Sequence, residues 1–556
     1  MKGKMHCMVN AFYPYTGCES AERAASIFAA RIRERNIKSS ADGYPVFFDI
    51  KEGPDTDEFS ILDKGNGAEI ISGGLLGLIH GAGFFLRMTE FYKNSAEPCR
   101  WRGKQKPKCA VRGAYFASHF HNFYHVASIE EIGRYIEDLA LWGYNYIKAI
   151  FPMIDIKNEN DPECGIQISR LNRIFGIAHS LGMKAATSMN VNGGFIEFPR
   201  EYLFTPHKDP TGRRGNSGNM MCPSIPGANE LIMRYNRDFL CGLAENPPDM
   251  VITWPYDEGG CACEQCYPWG GNDFIKYSKQ TFEIARALNP DVVRCVSTWC
   301  FDTPYEGEWE ALADSLKTEK WCDCILADAH EDFPRYPLEN PSPGGLPIIN
   351  FPEISMWGLS PWGGWGATAL PERFTRLWSQ ASRILSGGFV YSEGIYEDLN
   401  KAVVSQLYWH GDADWRETLR QYARYELGIT DTVDFIEMIS LVEKTQSDIV
   451  EKGFCDTALS DRAFKLAGQL DEKLPEWAKK VWRWRVIYLR ALIDARRYDM
   501  AREMCAQTNW NRLDWKELLA GSAPVQAAFR EIIELFHCMQ KDSNDPYHCR
   551  VRPRCE

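Results

Sequence analysis

Lysine and arginine are outnumbered in this 556-residue chain, 63 against 75 aspartates and glutamates, and no long basic run opposes its formal net charge of −12. A nucleic-acid partner is therefore not expected, because phosphate binding needs a concentrated positive surface. Long hydrophobic runs are also missing. The longest, GGLLGLIHGAGFFL (73–86), is short and interrupted by glycines, so no helix is expected to span a membrane. Residues 1–10 lack the apolar core of a secretory signal, and the chain as given is expected to be cytoplasmic. There is no low-complexity run, no HEXXH pair of zinc-binding histidines, no glycine loop to cradle phosphate, and no serine–histidine pair in a strained elbow. Cysteine is plentiful by contrast. Its 19 copies, an odd number scattered along a large chain, fit a reducing compartment better than a disulfide framework.

What is present is an ordinary globular composition, 45% apolar and 25% charged, with many aromatics: 18 Trp and 24 Tyr. Most aromatic rings fill cores, but their flat faces also bind sugars and bases. The length exceeds what one hydrophobic core supports, so two to four domains are expected. Residues 1–108 mix short strands (YPVFFDI, FSILD, AEIISG) with a helical stretch, ESAERAASIFAARIRER, and read as a small α/β domain. The polar, basic WRGKQKPK (101–108) reads as a break. Residues 109–428 alternate short apolar runs (VRGAYFA, YNYIKAI, KAATSM, MVITWP, VRCVST, CDCILAD, LPIINF, GGFVYSE) with amphipathic helices. Eight such runs over about 300 residues match a (β/α)8 TIM barrel. The alternative is an open doubly wound sheet, which would want a glycine loop after its first strand. The sixth connection, DFPRYPLENPSPGG, reads as mostly loop. Residues 429–556 show helical periodicity throughout and read as a C-terminal α-helical domain.

In such a barrel the active site lies at the C-terminal ends of the strands. Strand one ends in Ser118, His119 and His121, strand three in Asn190 and Asn192, strand four in Asp257 and Glu258, and strand five in Thr298, Trp299 and Asp302. Strand six ends in Asp328 and His330, strand seven in Glu353 and Trp357, strand eight in Tyr391 and Glu393. A ring of carboxylates, imidazoles and aromatic side chains suits glycoside hydrolysis, which needs an acid for the leaving oxygen, a second group for the cationic anomeric centre, and platforms for the sugar. Taken singly, each strand-end carboxylate also reads as a helix cap or a structural ion pair. Adjacent Asp257 and Glu258 repel one another unless something uses them, which weights that pair towards catalysis.

Three stretches carry a family resemblance. GNGAEIISGGLLGLIHGAGFFLR (65–87) resembles the end of the α/β domain that precedes the barrel in family 20 β-N-acetylhexosaminidases and family 67 α-glucuronidases. VRGAYFASHFHNF resembles their first barrel strand, which would set Arg112 against the terminal sugar. PYDEGG resembles the family 20 strand-four Asp-Glu, and the CACEQC after it resembles a cysteine-bearing segment of family 163 endo-β-N-acetylglucosaminidases. One departure is plain: Trp254-Pro255-Tyr256 stands where family 20 has His-Gly-Gly.

The resemblance implies a β-N-acetylhexosaminidase with substrate-assisted catalysis on an oligosaccharide or other glycoside. Glu258 would be the general acid/base. Asp257 would orient the 2-acetamido group, whose carbonyl oxygen attacks the anomeric carbon. Tyr391 would bond the acetamido oxygen, Trp299 and Trp357 would wall its methyl, and Asp328, His330 and Glu393 would hold hydroxyls. His119, His121 and Asn190 are further substrate-binding candidates.

A rival within the hydrolases pairs Glu258 with Glu353 across the barrel. Carboxyl separation distinguishes a retaining nucleophile (about 5 Å) from an inverting base (about 6.5–9.5 Å). A rival of another class is a barrel that binds sugar without cleaving it. Cys261, Cys263 and Cys266 have spacing suited to three thiolate ligands, with Cys222 or another cysteine as fourth. The reading favoured from sequence is nevertheless three reduced, partly buried thiols and no cofactor. Oligomeric state is left open.

Overall fold

In the computed structural model of the chain, the described residues are 8–51, 57–118, 122–208, 218–257, 259–303, 306–329, 332–354, 368–392, 394–504 and 522–538. An N-terminal sheet is built from β1 (Ala11–Tyr15), β2 (Lys38–Ser39), β3 (Tyr44–Ile50), β4 (Phe59–Lys64), β5 (Gly67–Ser72) and β8 (Gly103–Gln105), with β6 (Glu90–Phe91) and β7 (Ala96–Glu97) forming a separate hairpin. Strand order is β2-β1-β3-β5-β4-β8, parallel through β5 and antiparallel beyond it. Helix α1 (Glu22–Glu34) covers the sheet beside α2 (Leu75–Arg87). Every residue of α2 after Leu75 is buried, which explains why that segment is apolar on all sides rather than along one stripe. A side chain at Gly83 would lie 1.9 Å from the Leu141 carbonyl, so the glycine lets α2 rest directly on the first barrel helix. The basic stretch 101–108 contains β8, an edge strand, rather than being only a break.

The barrel is closed and wholly parallel: β9 (Val111–Phe116), β10 (Tyr146–Ile150), β11 (Lys184–Asn190), β12 (Met250–Trp254), β13 (Val293–Ser297), β14 (Cys324–Ala329), β15 (Ile348–Pro352) and β16 (Leu385–Ser392), the last pairing with β9. These are the eight apolar runs of the sequence. Closure depends on Gly387, at φ +109°, where a side chain would meet the Val111 carbonyl at 1.7 Å.

Helices α3 (Phe123–Val126), α4 (Ile129–Leu141), α5 (Pro162–Ser180), α6 (Ala228–Gly242), α7 (Asp273–Leu288), α8 (Glu308–Thr318), α9 (Arg335–Glu339), α10 (Pro371–Ala381), α11 (Asp398–His410) and α12 (Trp415–Leu427) accompany the strands. The SIEE signature caps α4 reciprocally, with the Ser128 hydroxyl on the Glu131 N–H and the Glu131 carboxylate on the Ser128 N–H. Among the described residues the sixth connection holds the five-residue α9 and a 3-10 turn at Pro343–Gly345, and is otherwise loop, as its prolines suggest. Helices α13 (Val433–Lys452), α14 (Thr457–Lys473), α15 (Glu476–Lys479), α16 (Trp482–Met504) and a last one, Ala523–Cys538, follow. No helix among the described residues is long and apolar enough to cross a membrane.

A buried ionic network ties the layers together. Arg31 of α1 bonds Asp138 of α4 at 2.8 Å, Arg483 of α16 bonds Asp138 at 3.0 Å and Asp398 of α11 at 2.7 Å, and Arg35 bonds Glu426 of α12 at 3.3 Å. Charges this deep tolerate burial only when fully paired.

Candidate active site

Strand β12 ends at Trp254, and the chain is then anchored residue by residue. The Pro255 carbonyl accepts the Trp269 indole N–H at 2.7 Å, and a side chain at Gly259 would come within 2.6 Å of that same oxygen. Tyr256 is fully buried; its hydroxyl donates to the Glu308 carboxylate and accepts from the Gly270 N–H at 3.0 Å. Asp257 follows at φ +74°, a left-handed conformation that Asp tolerates better than most residues. On the far side, the buried Asn192 amide donates to the carbonyls of Gly260 (3.0 Å) and Met221 (2.9 Å) and accepts from the Gly260 N–H at 3.2 Å. Asn192 thus fastens the strand-four loop to the strand-three loop.

Asp257 lines a cavity of about 140 Å³ at the C-terminal ends of the barrel strands. Asn190, Trp299, Glu353 and Tyr391 line the same cavity. Its aromatic side is continuous: Trp299 stacks on Trp254 (5.8 Å between centroids), and Phe351 meets both edge-on at 5.6 and 5.3 Å. Tyr391 stands edge-on to Tyr115 at 5.0 Å. Glu353 is 1 % exposed and bridges through its backbone to Tyr391. Two carboxylates, an amide and a phenol therefore face a space with stacked rings for walls, an arrangement suited to one polar ring-shaped ligand.

Below the floor lies Lys148 of β10, fully buried, its Nζ 3.4 Å from the Tyr115 ring centroid and 4.7 Å from that of Trp254. Burial pushes its pKa far below the ordinary lysine range.

Asp328 is half-buried one strand away, in register with Phe351, but does not line the cavity. Arg112 needs correction. Its position second in β9 places it at the N-terminal end of the barrel, where it is fully buried and donates to the carbonyls of Gly143 and Cys109 (both 2.7 Å) and to the Asp57 carboxylate at 2.8 Å. It joins the barrel floor to the N-terminal domain, away from the cavity. Glu258, His119, His121, His330, Trp357 and Glu393 lie outside the described residues.

Strand two contributes what the strand-end reading of the sequence passed over: Phe151, Pro152, Met153 and Ile154 form an apolar flank of the cavity, joined by Phe239 and Asn236 of α6. A search for polar strand ends finds nothing at strand two, whose only signal was its position. Cys261, Cys263 and Cys266 converge with Cys222 beside the strand-four loop, the one such potential metal-binding group among the described residues.

No family model matches the chain, and neither does any curated protein. Solved structures do. A family 89 glycoside hydrolase from Clostridium perfringens, in complex with PUGNAc, superposes with a TM-score of 0.59 at 13% identity, over 93% of this chain and 65% of that one. The chain thus spans just under two thirds of that enzyme's length. A GH138 enzyme targeting pectin rhamnogalacturonan II gives 0.56 at 11% identity, over 94% and 92%. A family 20 β-N-acetylglucosaminidase gives 0.50 at 14%, over 75% and 92%. At these identities the likeness establishes a shared fold: an N-terminal α/β domain followed by a parallel barrel.

Proposed function

We propose that the protein is a glycoside hydrolase acting on a 2-acetamido-2-deoxy sugar, a β-N-acetylhexosaminidase with substrate-assisted catalysis. The observation that carries this reading is the single cavity that gathers Asp257, Glu353, Asn190 and Tyr391 against the Trp254–Trp299 stack. Structural neighbours described as a β-N-acetylglucosaminidase and as a family 89 enzyme whose substrate is GlcNAc-α-1,4-galactose support the acetamido sugar. In this scheme Glu258 protonates the glycosidic oxygen and later takes a proton from water. Asp257 stays ionised and accepts the acetamido N–H. The acetamido oxygen forms the new bond to the anomeric carbon as the aglycone leaves, giving an oxazolinium that water opens. The rings exclude water from the apolar face of the sugar.

Glu258→Gln should lose at least about 10²-fold in turnover of natural glycosides and less with aryl glycosides, whose leaving groups need little protonation. A thiazoline that mimics the oxazolinium should inhibit far more tightly than the product sugar, and Asp257→Asn should weaken it. Full activity of Glu258→Gln on a poor leaving group would remove the assignment.

Glu353 favours a second reading. Its carboxylate is buried in the cavity wall three strands from Asp257, and in this reading it would act as the partner of Glu258 on a sugar without an acetamide. That scheme expects indifference to thiazolines, and a Glu353→Ala enzyme whose activity returns with azide if Glu353 is the nucleophile.

A further inference from the structure

We infer that Cys222, Cys261, Cys263 and Cys266 bind one structural zinc ion, clamping the loop after strand three to the loop that carries Asp257. Cys222 comes from the β11–α6 connection and the other three from the β12–α7 connection, so no single loop supplies the group. The four sulfurs all lie within 4.8 Å of one another, with Cys222 Sγ 3.6 Å from Cys263 Sγ and 3.9 Å from Cys266 Sγ. A tetrahedral ion with Zn–S bonds of about 2.3 Å requires sulfur–sulfur edges of about 3.8 Å. The two distances bracket that edge. They are far longer than a disulfide bond, and all four cysteines are free.

The surroundings suit thiolates. Cys222, Cys261 and Cys266 are at most 3 % exposed, and Cys263 is half-buried. The Thr205 N–H points at Cys261 Sγ (3.4 Å), and the Ser224 hydroxyl lies 2.9 Å from Cys222 Sγ and 3.4 Å from Cys263 Sγ. Donors of this kind stabilise the charge of bound thiolates. The backbone holds the same frame: Ala262 N–H donates to the Thr205 carbonyl at 2.8 Å and Cys222 N–H to the Tyr202 carbonyl at 2.7 Å. Four converging thiols without an ion would bury four poor hydrogen-bonding groups against one another. One divalent ion resolves this, displacing a proton from each thiol to leave a dianionic tetrathiolate. Four sulfur ligands leave no open position, so the ion fixes loops and takes no part in bond cleavage. The inference departs from the metal-free reading favoured from the sequence, in which Cys222 was one possible fourth ligand, because the structure brings that cysteine to the other three.

The test uses the full chain, purified without chelator under reducing conditions. Elemental analysis is expected to give about one zinc per chain. Exchange for cobalt(II) should give the intense visible absorption of a tetrahedral tetrathiolate ion. Cys222→Ser combined with Cys266→Ser should abolish both, while Cys241→Ser, at an exposed cysteine outside the group, should change neither. Should the double variant not fold, the cobalt spectrum of the unaltered protein decides. Substoichiometric zinc that added zinc does not raise, with no thiolate–cobalt spectrum, would overturn the inference. So would iron in place of zinc, or zinc retained in the folded double variant.

Discussion

Replacing Arg112 by leucine separates two roles that predict opposite results. As a substrate contact, Arg112 would affect KM and leave stability nearly unchanged. In the structure its guanidinium is fully buried at the barrel floor, bonded to two carbonyls and to Asp57, whose carboxyl group is only 20 % exposed. Breaking a buried ion pair by removing one partner costs about 3–5 kcal/mol, because the other charge stays behind. Here the Asn145 amide, 2.9 Å from the same Asp57 oxygen, softens that loss, whereas the stranded Gly143 and Cys109 carbonyls add to it. A loss of about 3–5 kcal/mol is thus expected, a large part of the stability of an ordinary domain.

The pH dependence provides a second check. Burial alone would raise the Asp57 carboxyl, but the Arg112 charge, His80 and the hydrogen bonds from Arg112 and Asn145 together hold it below the usual carboxylate range. A depressed carboxylate contributes stability that is present above its unfolded pKa of about 3.8 and is lost as pH falls through the folded value. The gap between wild type and Arg112→Leu should therefore be widest above about pH 4 and narrow in stronger acid. Urea unfolding across that range measures it, with kcat and KM taken below the unfolding transition. Unchanged stability with a raised KM would refute the structural role and return Arg112 to the substrate.

Lys148→Met should stabilise the protein by about 1–2 kcal/mol at neutral pH, since an apolar chain of similar length replaces a buried amine whose Nζ makes no hydrogen bond. Because the folded pKa is depressed, wild-type stability rises with pH from that lowered value up to the unfolded value of about 10.5, where it levels off, so the advantage of the variant should shrink across that interval; thermal melts of both proteins at about pH 7 and pH 10 read the difference, and an equal offset at both would contradict it. Asn192→Ala should cost about 1–3 kcal/mol in chemical denaturation by leaving the Gly260 N–H and two carbonyls buried without their partner. It should also lower kcat by loosening the loop that presents Asp257, and full stability with full activity would show that the loops need no such tie.

The eight barrel strands were readable because a parallel strand buried on both faces is a continuous apolar run, and each run here ends in polar or aromatic residues. Some strands of the N-terminal sheet lack that signal. Gly103–Gln105 pairs only with β4 and reads as basic loop, and Ala11–Tyr15, with Pro14 inside it, reads as no strand at all. Of the candidates taken from strand ends, Asn190, Asp257, Trp299, Glu353 and Tyr391 line one cavity, whereas Arg112, taken from the resemblance to a first barrel strand, does not. Arg112 precedes the apolar run of β9, whereas site residues follow their runs, and position in the strand decides between them. Lys148 was hidden for a different reason: a lysine inside YNYIKAI looks like a solvent-facing residue until the barrel closes around it.

The Trp254-Pro255-Tyr256 departure also acquires a physical meaning, because each residue of the triplet is separately engaged. Trp254 walls the cavity, the Pro255 carbonyl is locked by Trp269, and the Tyr256 hydroxyl is locked between Glu308 and Gly270. Beyond the carboxylates, Asn192 fixes Gly260. Asp257 is therefore held from both sides in a backbone conformation that L-residues seldom adopt. Such anchoring holds the carboxylate in one orientation; under the proposed function, little reorganisation would be needed as positive charge develops at the anomeric centre. The pocket beside Asp257 is walled by Trp254 and flanked by Phe151, Pro152, Met153 and Ile154, and under the proposed function that apolar flank is where a choice of sugar would be sought.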